Sequence, residues 1–140
     1  MTEKLVTGRR ALLAGALLAL AGGAAARGRG EGPVKITAQE AKKIMDSDPS
    51  ARVIDVRERD EYAAGHIPAA INYPLRLITN SGNRWLAALA KKDEPLLFYC
   101  RSGVRSAEAA LAFFRAGYTR VYDFGGILDW PYGVEQGFPR

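Results

Sequence analysis

Short, nearly continuous apolar runs alternate along the chain with stretches whose apolar residues recur every three or four positions. "VKI" from Val34 predicts a short first strand. In "TAQE" behind it, Thr37 and Glu40 have the spacing of a reciprocal helix cap. Ala38, Ala41, Ile44 and Met45 then repeat at helical spacing until Pro49 forbids continuation. "RVIDVR" is apolar enough for a strand covered on both faces. "ERDEYAAGHIPAA" predicts a short helix closed by Gly65, and "AINYP" a strand ending at Pro74. "NRWLAALAKK" is helical in pattern, with Trp85, Leu86 and Leu89 on one side. "PLLFYC" is the most apolar run and the expected centre of a sheet. "SAEAALAFFRAGY" predicts a helix with Ala107, Ala110, Leu111 and Phe114 on its stripe, and Gly117 closes it. "RVYDF" is the last strand, and "GGILDWPYG" is expected to turn away from it. Strands alternating with helices give an α/β fold with a largely parallel sheet.

The 140 residues allow one domain of ordinary size, with a globular balance of 48% hydrophobic and 25% charged residues. A single cysteine, Cys100, excludes an intrachain disulfide, multi-cysteine zinc sites and a Cys-x-x-Cys redox pair. With one histidine, His66, no metal site is expected. The net charge is +5, and setting aside Glu3, Lys4, Arg9 and Arg10 at the front brings it to +3. The remaining arginines are scattered without an aromatic platform, so nucleic acid is not an expected partner.

The front of the chain has a composition of its own. Lys4, Arg9 and Arg10 form a basic head, Ala11 to Ala21 an apolar run, and Ala24 to Ala26 a small-residue cleavage pattern. Residues 1–26 therefore have the layout of a secretory signal, and the Arg9–Arg10 pair resembles a twin-arginine type. The expected location is exported and periplasmic. The alternative is an uncleaved anchor, although the run falls short of the roughly 20 apolar residues that a span requires. No stable membrane span is expected after cleavage. Residues 27–33 are a Gly-rich, charged linker, and residues 34–140 form the domain.

Cys100 ends the central strand candidate just before a helix, where open α/β sheets bind ligands. Gly103 lets the intervening turn tighten, so that successive N–H groups can face the sulfur as an anion nest. The following helix start and the cations Arg101 and Arg105 favour a thiolate over a thiol. The opposing possibility is a buried, inert cysteine.

"VIDVRERDEYAAGHIPAAINYP", "CRSGVRS" and "AGYTRVYDFGGILDW" together resemble the rhodanese family in its single-domain form, from Ile36 to about Trp130. With the export segment, the chain looks like an exported bacterial member. The resemblance implies a single rhodanese-like domain, its central sheet flanked by helices on both faces. It also implies sulfurtransferase activity. Cys100 would take a sulfane sulfur from a small anionic donor such as thiosulfate, hold it as a persulfide, and pass it to cyanide or a thiol. No separate cofactor is then expected. Arg101, Ser102, Gly103, Val104 and Arg105 would form the cradle, with Arg101 and Arg105 holding the donor's sulfonate end. Asp55 and Arg57 are candidates for a supporting role or for a plain packing pair. His66 is expected in a turn, and Trp130 and Phe113–Phe114 in the core. Ala69 stands where the family has glycine after "GHIP".

Two alternatives remain at this level. One is a non-catalytic or sulfur-carrier binding module. The other is a cysteine phosphatase, whose loop would need five residues between Cys and Arg where this chain has four, or an arsenate reductase, of which the kind that resolves through further cysteines is excluded by the single cysteine. A monomer is the default oligomeric state.

Overall fold

The computed structural model describes residues 31–81, 84–88 and 90–139. The expected export segment, residues 1–26, and most of the expected linker lie outside the described residues, as does the expected face of Trp85, Leu86 and Leu89. The strands are β1 (Val34–Lys35), β2 (Arg52–Asp55), β3 (Ile71–Asn72), β4 (Leu96–Cys100) and β5 (Val121–Gly126). The helices are α1 (Ala38–Ser47), α2 (Arg59–Ala64), α3 (Leu75–Ser81), α4 (Arg84–Ala87) and α5 (Val104–Arg115), with a 3₁₀ turn at Ile127–Asp129. The sheet runs β1-β5-β4-β2-β3 and every pairing is parallel.

The apolar run at β4 is central because both of its faces are covered. Leu96 and Phe98 face one core with Ala109, Ala110 and Phe113 of α5, while Leu97 and Tyr99 face another with Ala41, Tyr62 and Phe124. Phe98 and Phe113 stack with ring centres 5.2 Å apart. Burying each such side chain contributes about 1.5–3 kcal/mol. Helices therefore flank the sheet on both faces. Among the described residues, no helix is long and apolar enough to cross a membrane.

Thr37 caps α1 as its spacing predicts. Its hydroxyl accepts from the Glu40 N–H at 3.1 Å, and the Glu40 carboxylate accepts from the Thr37 N–H at 3.0 Å. Four details differ from the sequence expectation. Helix α3 follows Pro74 directly, and Ile78 carries it into the core. Helix α5 begins at Val104, so Val104 and Arg105 belong to its first turn. Its buried side is Ser106, Ala109, Ala110 and Phe113, with Leu111 exposed, because Phe113 and not Phe114 points at Phe98. Strand β5 runs on through Gly125 and Gly126 before the chain turns.

Ala69 adopts φ +70°, the left-handed region that an L side chain enters at a cost. The strain is about 1–2 kcal/mol, and glycine's greater freedom when unfolded takes back about 0.4–1 kcal/mol. The residue is exposed, so no packing opposes the change. Ala69→Gly is expected to raise the melting temperature by a few degrees, read by calorimetry; a lower melting temperature would contradict the turn assignment.

Candidate active site

Cys100 closes β4 opposite Gly126 of β5, with its side chain on the α5 face of the sheet. The residue is 1% exposed. Beyond it, Arg101 and Ser102 lead into Gly103, which takes φ +111° and forms the N-terminal cap of α5. That left-handed turn points the Gly103 N–H at the sulfur, to which it donates at 3.0 Å. A side chain at Gly103 would meet this strain and also the Gly125 backbone, 3.4 Å from an added methyl.

The ionisation of Cys100 is set by two opposed effects. Burial pushes the thiol up, but hydrogen bonds from the Ser106 hydroxyl and from the backbone N–H groups of Ser106, Gly103 and Ser102 outweigh it. The net result holds the thiol below its ordinary value. The Ser106 and Gly103 N–H groups belong to the unpaired donors of a helix start, the Ser102 N–H to the loop before it, and the helix dipole acts with them. The sequence expectation of a nest followed by a helix N-terminus describes this geometry. The Ser106 hydroxyl, 3.6 Å from the sulfur, was not among the expected residues. Neither was Gly126, which carries the loop against its bare Cα: a methyl there would stand 2.1 Å from the Arg101 carbonyl oxygen.

The two arginines are placed differently. Arg101 is exposed, and among the described residues no hydrogen bond or ion pair engages its guanidinium. Arg105 is held fork to fork by Glu61 of α2, Nη1 to Oε2 at 2.7 Å and Nη2 to Oε1 at 2.9 Å. The Arg105 hydrogen bond is the chief cause that brings the Glu61 carboxyl down to about 2. A depressed carboxyl contributes its stability above the unfolded value of 4.5 and loses it as pH falls through about 2, so this pair is intact across the neutral range. Glu61 Oε2 also accepts from the Glu58 N–H at 2.9 Å, which fixes α2 and the loop helix to one carboxylate. Ser102 and Val104 lie exposed on the loop's outer side, Val104 strongly so.

A family model described as "Rhodanese-like domain" matches residues 37–131. The chain belongs to the rhodanese-like domain family. It is 31% identical to thiosulfate sulfurtransferase 18 of Arabidopsis thaliana over 121 residues, 79% of this chain and 85% of that protein. It is 34% identical to a putative sulfur carrier protein, YrkF, of Bacillus subtilis over 97 residues, 69% of this chain and 50% of that protein. Several curated relatives are longer, and the chain spans from 24% to 60% of their length. Among solved structures, the human single-domain sulfurtransferase TSTD1 superposes with a TM-score of 0.59 at 28% identity, covering 72% of this chain and 96% of that one.

In this rhodanese-like domain Asp55 and Arg57 form a buried pair at the end of β2. Arg57 Nη2 donates to Asp55 Oδ2 at 2.7 Å and Nε donates to Oδ1 at 3.0 Å. Oδ1 also accepts from the Arg57 N–H at 2.9 Å, and Oδ2 from the Tyr99 hydroxyl at 2.6 Å. Burial first, and the Asp55 charge second, push the Tyr99 phenol up, so it stays a donor. Tyr99 and Asp55 lie on the sheet face away from Cys100, so the pair holds the strand ends in place without bonding to the sulfur. His66 is buried in the expected turn. Its ring stacks on Tyr62 at 3.7 Å, and its backbone bridges Glu135 of the C-terminal segment.

Proposed function

We propose that the protein is a sulfurtransferase that moves a sulfane sulfur from a small anionic donor such as thiosulfate to cyanide or a thiol, through a persulfide on Cys100. The observation that carries this reading is the Cys100 sulfur lying under converging backbone N–H groups at the start of α5. With thiosulfate, the Cys100 thiolate attacks the outer sulfur. A new S–S bond forms, the donor's S–S bond breaks, and sulfite leaves with the electron pair. The persulfide is anionic, and the cradle donors stabilise it as they would an oxyanion. The acceptor then attacks the outer sulfur, and Cys100 departs as a thiolate. The names of the sulfurtransferase and sulfur-carrier relatives support the same class of chemistry.

The engagement of Arg105 by Glu61 weighs against a phosphatase, whose loop arginine must be free to grip a phosphoryl group. The deciding assay measures thiocyanate formation from thiosulfate and cyanide, beside hydrolysis of an aryl phosphate. Thiocyanate formation that disappears in Cys100→Ala is the expected result. Phosphate release without thiocyanate would overturn the proposal.

With Arg105 held by Glu61, Arg101 is the cation we propose for the donor's charge. Arg101→Ala should raise the KM for thiosulfate about 5-fold at low salt and by less at high salt, as suits one exposed charge. Unchanged KM at both salt concentrations would leave the backbone cradle as the whole binding site. We also propose that residues 1–26 direct export to the periplasm, on the strength of the basic head, apolar run and small-residue pattern. Fusing them to a reporter active only after export tests this, and a reporter retained inside would contradict it.

A further inference from the structure

Ser106 is completely buried, and its hydroxyl has one hydrogen to give. Three acceptors surround it: the Gly103 carbonyl at 3.1 Å, the Gly125 carbonyl at 3.4 Å and the Cys100 sulfur at 3.6 Å. We propose that the Ser106 hydroxyl is a switching donor, which gives its hydrogen to the loop backbone while the Cys100 sulfur is neutral and to that sulfur whenever it is anionic.

In the thiol form the Cys100 S–H donates to Ser106 Oγ, and the serine hydrogen is free to bond the Gly103 carbonyl. Once the proton has left to solvent, the sulfur has nothing to donate and becomes the strongest acceptor within reach. The serine hydrogen turns to it. The Gly103 carbonyl is not orphaned by the move, because the Ala107 N–H also donates to it at 3.3 Å. The exchange therefore costs little, while a hydrogen bond to a charged partner is about twice as strong as a neutral one.

The reaction needs this exchange twice. When Cys100 attacks the donor, its electron pair goes into the new S–S bond and the negative charge moves to the outer sulfur. The inner sulfur is then neutral, and Ser106 can return to Gly103. When the acceptor takes the outer sulfur, the pair of the broken S–S bond stays on Cys100, and the serine hydrogen meets the leaving thiolate. The backbone N–H groups serve both states alike, whereas Ser106 favours the two in which Cys100 itself is charged.

The other ionisable groups around the sulfur do not make this exchange. Arg105 on the first turn of α5 is held by Glu61 of α2. Arg101 extends from the loop's exposed side. Asp55 at the end of β2 is held by Arg57 and Tyr99 on the opposite sheet face, and Tyr73 after β3 is a buried phenol of the same apolar cluster as Cys100. All of them remain when Ser106 is replaced.

The role rests on Cys100 being the attacking sulfur, and the test reads it without any sulfur donor. Cys100 is the only cysteine, so the rate of iodoacetamide alkylation of the full chain against pH reports one thiol. Ser106→Ala should move the midpoint up by about one pH unit, a tenfold loss of thiolate at pH values below the wild-type midpoint, and leave the high-pH plateau near wild type. Ser106→Thr keeps the hydroxyl and should keep the midpoint low. Under the proposed activity, kcat/KM of the Ala variant should fall about tenfold at pH values below the wild-type midpoint and recover in alkali. Alanine differs from serine only by the lost oxygen and is the better helix former, so the Ala variant keeps the fold on which the reading depends. A midpoint unmoved by loss of the hydroxyl overturns the proposal, and so does a Thr midpoint raised as far as the Ala one. A wild-type chain that transfers no sulfur, beside an Ala variant whose alkylation midpoint is shifted, would count against the proposed activity alone.

Discussion

Gly126→Ala should cost about 100-fold in sulfur-transfer kcat/KM while the domain still folds. The added methyl would stand 2.1 Å from the Arg101 carbonyl oxygen and 2.8 Å from the Ser102 Cα. Both are backbone atoms, so no side chain can rotate out of the way. The loop must shift by about 1 Å, and a displacement of that size at a reacting group is enough for a loss of this order. Overpacking of this kind also lowers stability, by about 1–3 kcal/mol, which leaves a folded protein at room temperature. Gly125 provides the contrast. Its φ is +83° and an added methyl meets nothing within 4 Å, so Gly125→Ala carries backbone strain without pushing the loop. The smaller loss of turnover should be at position 125. Equal losses at both glycines would mean that strain in β5, and not the loop's contact with Gly126, controls the site.

Asp55→Ala should be the most destabilising single change. Asp55 is fully buried and accepts from the Arg57 side chain, the Arg57 N–H and the Tyr99 hydroxyl. Removing it strands a buried guanidinium whose remaining bond runs from Nη2 to the Gly65 carbonyl at 2.6 Å. Breaking a buried pair from one side costs about 3–5 kcal/mol, a large share of a domain's total of about 5–15 kcal/mol. The melting temperature should fall by on the order of 15–25 °C. Because the network lies on the far face of β4, alkylation of Cys100 in the cold, still-folded variant should keep its pH midpoint. A melting temperature near wild type would show that the pair is solvated, contrary to its burial.

Much of this fold is legible because its signals are local. "PLLFYC" reads as the sheet centre since a strand covered on both sides cannot alternate with polar residues, and Leu96 through Cys100 are all buried. The Thr37–Glu40 cap is a relation across three residues, and Gly103 announces a tight turn by its residue type. The parts missed depend on chain distance or on orientation. Glu61 meets Arg105 across 44 positions, so two loop arginines look equally available until α2 is packed against α5. Gly126 looks like the start of a turn in "FGGIL", and its meaning appears only when β5 lies beside β4 with Gly126 opposite Cys100. The stripe of α5 was displaced because Ala107 and Leu111 fit helical spacing as well as Ser106, Ala109 and Phe113 do. The deciding contact, Phe113 on Phe98, comes from another element. Ser106 was hidden for the same reason: a serine one turn into a helix signals nothing until its neighbours are known.

The account stands on a sulfur atom residing on Cys100. Intact mass of the full chain after incubation with thiosulfate measures that directly. One added sulfur atom is expected, discharged as thiocyanate when cyanide is supplied and absent from Cys100→Ala. An unchanged mass, or an added sulfur that persists in Cys100→Ala, would contradict it.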